Sequence, residues 1–267
     1  MFGDRDPDSL GEEYLREGFI IRDVADKAAH EWIVTTTARL AAALADVQAP
    51  ASLPNSVDFL NRVHTVISSN NLNEFRLKVI QGLNGQPELR HAYFALAKPF
   101  LEEIVGNELA MQQRVNLSIQ LPGDSSSLLA VHADTWSGDS PYEVVVWLPL
   151  VDCYSTKSMY LLPPHHAGEF DMSFKDRAGS SSETLFEAIR DKVRWLEIRC
   201  GQVMVFDQSL PHGNRVNDEA DSRWSMNCRF KGVFTPYGDK KLGEFFEPIS
   251  LRPASRRGMS YKLPHAR

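Results

Sequence analysis

The stretch Val131-His132-Ala133-Asp134-Thr135-Trp136 sets an imidazole and a carboxylate two residues apart. In an extended segment such residues point the same way, so His132 and Asp134 can grip one ion from one strand end. Imidazole and carboxylate together suit an intermediate metal such as Fe(II). One more histidine completes a two-histidine, one-carboxylate face with three open positions. His212 is the candidate for that ligand. It follows the apolar run Val203 to Phe206 and precedes Gly213, where a metal could approach the backbone closely. A single His-x-Asp is a weak signal, because satisfied polar pairs are common. The set of three gives it weight.

Arg223 comes eleven positions after His212, and Arg229 six beyond that. A strand guanidinium can form a bidentate pair with a carboxylate, such as a dicarboxylate cosubstrate would bring. Strand parity puts both arginines on one face and does not separate them. Position along the strand, nearer the metal end, favours Arg223. Asn116, Ser158, Ser225 and Asn227 are polar strand residues able to hydrogen-bond the same cosubstrate. Trp136, Asp139, Arg114, Lys157 and Tyr160 offer an aromatic wall with charged groups for a polar, sugar-like substrate. His165 and His166, on a loop after two prolines, read as solvent-exposed. His30, His64, His91 and His265 receive no role.

These residues need a scaffold. Phe19 to Ile21 suggest a strand, followed by a helix through Ala29, Ile33, Leu40 and Leu44 with Asp26 as its N-cap. Leu60, Val63 and Ile67 begin another amphipathic segment in this mainly helical third of the chain. Leu89, Tyr93, Leu96, Phe100 and Ile104 form the clearest helical stripe, which Pro99 should kink or divide. From about residue 112 the pattern turns to short strands: Val115 to Ile119, Leu128 to Val131, Val144 to Val151, Ser158 to Leu162, Leu196 to Arg199, Val203 to Phe206 and Arg223 to Phe234. Gly201 turns the chain into the Val203 strand, and a helix around Thr184 to Trp195 interrupts the series. This order predicts a mainly β fold with α: an antiparallel barrel or jelly roll flanked by N-terminal helices. We expect one domain, with residues 1–110 as mainly helical support, 111–250 as the β core and 251–267 as a tail. The Ser137 to Pro141 loop and residues 168–185 are candidate lids over the barrel mouth.

The bulk composition is that of an ordinary globular chain. There are 267 residues, 43 % hydrophobic and 24 % charged. A net charge of −6 argues against nucleic acid as a partner, and the short basic run Arg252, Arg256, Arg257, Lys262 and Arg267 reads as a solvated tail. Three widely spaced cysteines without a CxxC give neither a disulfide framework nor a zinc knuckle. No apolar stretch is long enough for a membrane span, and the polar N-terminus is no signal peptide, so a cytoplasmic location is expected.

Residues 112 to 250 resemble the Fe(II)/2-oxoglutarate oxygenases, in the phytanoyl-CoA-hydroxylase-like branch. Within it they are similar to the sporadic members encoded in bacterial carbohydrate and aminoglycoside gene clusters, the streptomycin cluster among them. RVNLSIQLPGD (114–124), VHADTWSGDSPYEVVVWLPLVD (131–152), KSMYLLPP (157–164), FDQSLPHGN (206–214) and SRWSMNCRFKGVFTPY (222–237) carry the likeness. EGFIIRDV near the N-terminus resembles that branch's opening strand, so the similarity covers most of the chain. The resemblance implies a double-stranded β-helix with iron at its open end. It implies 2-oxoglutarate chelating the metal with its far carboxylate on Arg223, and O2 as oxidant, giving succinate, CO2 and a hydroxylated substrate. Related halogenases have a small residue at the carboxylate position; Asp134 therefore disfavours halogenation. The expected activity is oxidation of a C–H bond in a small polar metabolite, a sugar or cyclitol intermediate. The rivals are a cupin-like metal isomerase or epimerase and a non-catalytic ligand-binding barrel.

Overall fold

The computed structural model describes residues 6, 9–172 and 181–264. Its helices are α1 (Leu10–Glu17), α2 (Lys27–Leu44), α3 (Leu53–Asn61), α4 (Ser69–Asn84), α5 (Leu89–Ile104), α6 (Pro164–Met172), α7 (Ser182–Ile189) and α8 (Pro253–Met259). Its strands are β1 (Phe19–Asp23), β2 (Leu109–Gln112), β3 (Asn116–Gln120), β4 (Glu143–Pro149), β5 (Tyr160–Leu161), β6 (Arg194–Trp195), β7 (Gln202–Asp207), β8 (His212–Gly213), β9 (Arg223–Gly232) and β10 (Phe246–Ser250). A larger sheet runs β1-β7-β4-β9-β2-β10, with β3 also paired to β9; a smaller one runs β6-β5-β8. All strand pairs within the two sheets are antiparallel.

Strand β9 shows how the larger sheet is used. Its residues alternate between two faces, as strand geometry requires. Trp224 and Phe230 go to the helical side, where Phe75 of α4 meets Trp224 edge-on at 6.1 Å and Phe94 of α5 stacks near Phe230. The Tyr93 hydroxyl on α5 donates to the Val146 carbonyl at 3.0 Å, so the buried phenol is satisfied where it crosses β4. Arg223, Ser225, Asn227 and Arg229 point the other way and line a cavity between the two sheets. The helices thus close one face of the larger sheet and leave the other for a site.

Several expectations change. The amphipathic segment from Leu60 to Ile67 is not one helix: α3 ends at Asn61, and a 3-10 turn at Val63–Thr65 precedes α4. Pro99 does not divide α5, which runs unbroken through it. Leu128 to Val131 form no strand. The Asn214 side chain accepts from Leu129 N at 2.6 Å and so takes the place of a ladder partner, and only a lone bridge, His132 to His212, follows. The Leu196 to Arg199 strand shifts to β6, and Ile198 bridges to Cys153 instead.

Strand β2, which straddles the supposed boundary at residue 110, and strand β10 were not expected. Nor was α1, although Ser9 accepts from Glu12 N at its start, a capping pattern visible in the sequence. The supposed tail contains α8. His265 and Arg267 lie outside the described residues, as do positions 173–180 of the candidate lid; its flanks belong to α6 and α7. His165 and His166 sit in the first turn of α6, not on a loop. The cysteines are free, and among the described residues no helix is long and apolar enough to cross a membrane.

Candidate metal centre

His132, Asp134 and His212 converge. Their ligand atoms all lie within 4.8 Å of one another. No other group of three metal-capable side chains occurs among the described residues. The chain achieves this locally in two steps. His132 and His212 exchange backbone hydrogen bonds, N to O at 3.0 and 2.8 Å, which docks the two segments side by side. Ala133 stays extended, and Asp134 then opens a 3-10 turn, so the carboxylate keeps to the same side as His132.

The tautomers follow from the neighbours. His132 Nδ1 lies 2.7 Å from the Ala130 carbonyl, and His212 Nδ1 lies 2.8 Å from the Leu210 carbonyl. A carbonyl can only accept, so each Nδ1 carries a proton, and Nε2 is the ring atom left to face a metal. Burial, and secondarily the neighbouring His132, push His212 down to about 4, so its ring is neutral at neutral pH. Two imidazole Nε2 atoms and one carboxylate make a donor set that fits a divalent first-row metal.

Asp134 is held from behind. Arg229 Nη2 lies 3.0 Å from Asp134 Oδ2, which leaves Oδ1 on the side of His132 Nε2, 3.7 Å away. Gln208 ties this arrangement together. Its carbonyl accepts from Asp134 N at 3.0 Å, and its Oε1 accepts from Arg229 Nε at 3.0 Å. Its Nε2 donates to Ser140 O and to Glu143 Oε2. Gln208 lies in the FDQSLPHGN run, yet nothing in the sequence pointed to it; only the fold brings its two ends to bear on two other elements. Because groups behind metal ligands typically govern affinity by about 10- to 100-fold, Gln208→Leu is expected to weaken Ni(II) binding by that order while the fold persists. Calorimetric titration and circular dichroism of the variant check this.

The two arginines separate in a way that parity did not predict. Arg229 stands at the metal end of β9, against Asp134 and also 3.3 Å from Asp139. The expectation that Arg223 lies nearer the metal is therefore reversed. Arg223 is the far one, only 3 % exposed. It donates to the Ser158 carbonyl at 2.8 Å and to Ser118 Oγ at 3.0 Å, and its buried Nε has no partner. Burial pulls its guanidinium pKa down. No carboxylate of the described residues compensates it.

Asn116, Ser225 and Asn227 line the same cavity, with Asn116 Nδ2 donating to Asn227 Oδ1 at 2.9 Å. Ser158 does not line it; only its carbonyl serves, through Arg223. The five expected substrate residues also stay off the cavity wall. Arg114 is exposed. Lys157 is buried with Nζ on Asn61 Oδ1 at 2.7 Å, and Tyr160 is packed between Phe186 and Trp195. Trp136 stacks near Phe170, and Asp139 is pinned by Arg229 and Lys240. The Ser137 to Pro141 loop is anchored likewise: Asp239 N donates to Gly138 O, and Ser140 Oγ donates to Pro236 O. It is no lid. Residues missed from the wall include Ser118, Asn214 and Arg76. Parity with Asn116 flags Ser118; for Arg76, on a helix far away in sequence, there was no signal.

Gly213 lines the cavity, and its lack of a side chain has a further reason. A Cβ there would meet the Leu129 carbonyl at 2.8 Å and the Tyr160 hydroxyl at 2.7 Å, so backbone and side chain approach it closely. Gly213→Ala should force Leu129 or Tyr160 aside, or shift the backbone that carries the adjacent His212. Overpacking of this kind costs about 1–3 kcal/mol, readable as a lowered thermal midpoint together with weakened metal binding.

No family model matches the chain, and no curated protein matches it. Solved structures do. A nickel complex of ThoJ, described as a non-heme monooxygenase, is 17 % identical over 91 % of this chain and 84 % of its own, with a TM-score of 0.53. SnoK, a non-heme alpha-ketoglutarate-dependent carbocyclase from nogalamycin biosynthesis, is 13 % identical over 90 % and 95 %, with a TM-score of 0.55. HygX from Streptomyces hygroscopicus, with nickel and 2-oxoglutarate bound, is 13 % identical over 86 % and 88 %, with a TM-score of 0.51. At such identities the likeness is one of fold.

Proposed function

We propose that the protein is an Fe(II)- and 2-oxoglutarate-dependent oxygenase with a double-stranded β-helix (jelly-roll) core. It would oxidise a C–H bond of a small polar metabolite, a sugar or cyclitol biosynthetic intermediate. The buried, uncompensated Arg223 carries this assignment. A cation out of reach of water and without a counter-ion is costly. Its presence in a cavity whose other end gathers two imidazoles and a carboxylate calls for an anionic ligand that spans both. A keto-diacid does so.

In this assignment His132, Asp134 and His212 hold the metal, and Arg223 pairs with the distal carboxylate of 2-oxoglutarate. Ser118 and the Ser158 carbonyl keep the guanidinium of Arg223 in place. Ser225, Asn116 and Asn227 present polar groups along the cosubstrate's path. Arg229 and Gln208 orient Asp134 and do not touch the cosubstrate. Bound there, iron and 2-oxoglutarate would split O2, one oxygen atom passing to succinate as CO2 leaves and the other to the substrate C–H bond.

The test is succinate formation from 2-oxoglutarate, which should require added Fe(II) and O2. Thermal stabilisation by 2-oxoglutarate in the presence of Ni(II) gives a second readout. A metal isomerase of similar architecture would show neither, and a non-catalytic barrel would show no turnover.

A further inference from the structure

We infer that Arg76 recognises an oxyanion, a carboxylate or phosphate, carried by the primary substrate. This rests on the oxygenase assignment above and narrows its substrate class from polar to anionic.

Arg76 belongs to α4, part of the helical layer, yet it lines the same cavity as His212 and Arg223. Its Nε is buried without a hydrogen-bond partner, and one Nη donates to Asn73 Oδ1 at 2.8 Å. A surface arginine on a helix would give its N–H groups to water or to a neighbouring acid. Arg76 has its Nε closed off from water and no carboxylate partner among the described residues.

Charge accounting in the cavity leaves this side chain over. The lining contains one acid, Asp134, and Arg229 is already bonded to it. Of the two carboxylates of 2-oxoglutarate, one would lie at the metal and the other on Arg223. Arg76 remains as a cation in a partly enclosed space, where an ion pair is stronger than in bulk water. A guanidinium with N–H groups to give matches the paired oxygens of a carboxylate or phosphate. Arg76 lies on a separate element from the triad and from Arg223, so it can select the substrate without disturbing metal or cosubstrate.

The experiment uses protein loaded with Ni(II) and 2-oxoglutarate, titrated with inorganic phosphate and separately with acetate. Calorimetry and the fluorescence of Trp147, which lines the cavity, report binding. Saturable binding of at least one anion is expected. Arg76→Leu should weaken it about tenfold or more, equivalent to about 1.4 kcal/mol, and Arg76→Lys should restore part of it. Affinity for 2-oxoglutarate should be unchanged in both variants. The inference is overturned if neither anion binds saturably, or if Arg76→Leu binds as wild type. It is also overturned if Arg76→Leu loses 2-oxoglutarate affinity, which would assign the residue to the cosubstrate. Failure of Ni(II) and 2-oxoglutarate to bind wild-type protein would instead sink the oxygenase assignment, and anion binding to the unloaded protein would still report on Arg76.

Discussion

His212→Ala is expected to abolish metal-dependent turnover, lowering succinate formation by about 1000-fold or more. The variant loses one of three donors and the imidazole that faces His132 at a ring separation of 4.3 Å. Changes behind a ligand already cost about 10- to 100-fold in metal affinity, so loss of a ligand itself should exceed that. Metal content after loading with Ni(II), measured beside the wild type, separates lost binding from lost chemistry. Full metal occupancy in the variant would remove this triad as the centre.

The same residue sets a pH dependence in the metal-free protein. Its folded pKa is depressed from 6.5 to about 4, so between those values the unfolded chain binds more protons than the folded one. The stabilisation from keeping His212 neutral is present above about pH 6.5 and fades as pH falls towards 4. The thermal midpoint of the apo-protein should fall across that window, and less steeply in His212→Ala.

Arg223→Leu is the second large effect, and it divides into two opposite signs. With 2-oxoglutarate the variant should lose about 2–5 kcal/mol, the usual cost of deleting one partner of a buried charge pair. That appears as a rise of about 30-fold or more in the KM for 2-oxoglutarate, with Ni(II) affinity little changed. Without ligand the variant should be as stable as wild type or more so, because it removes a buried cation that has no counter-ion. Arg223→Lys keeps the charge but loses the planar fork, and should recover only part of the affinity. An unchanged KM for 2-oxoglutarate in Arg223→Leu would remove the carboxylate pairing. If the ligand-free variant also unfolded, Arg223 would be a structural residue bound to Ser118 and Ser158 alone.

What the chain declares by itself is what depends on local periodicity. His132 and Asp134 share a side because one extended residue separates them. The stripe Leu89 to Ile104 makes a helix because its apolar residues repeat at helical spacing. The alternation along Arg223 to Gly232 divides that strand into a core face and a cavity face. Each of these is settled within a few bonds by backbone geometry, so it can be read before any partner is known. The meeting of His212 with the pair at 132 and 134 was foreseeable only as one possibility, since spacing permits an encounter without enforcing it.

Tertiary structure decided which side chains face the cavity and in what order. Arg223 and Arg229 are equivalent by parity; the pairing of β9 with β4 and β3 places one against Asp134 and the other at the far end. Lys157 and Tyr160 had the right chemistry for a substrate wall, but one is drawn to Asn61 and the other packs between Phe186 and Trp195. Gln208 and Arg76 matter through contacts with elements remote in sequence. The reason is physical: periodicity assigns a face, whereas neighbours across the core depend on strand register and helix docking, which long-range packing alone determines.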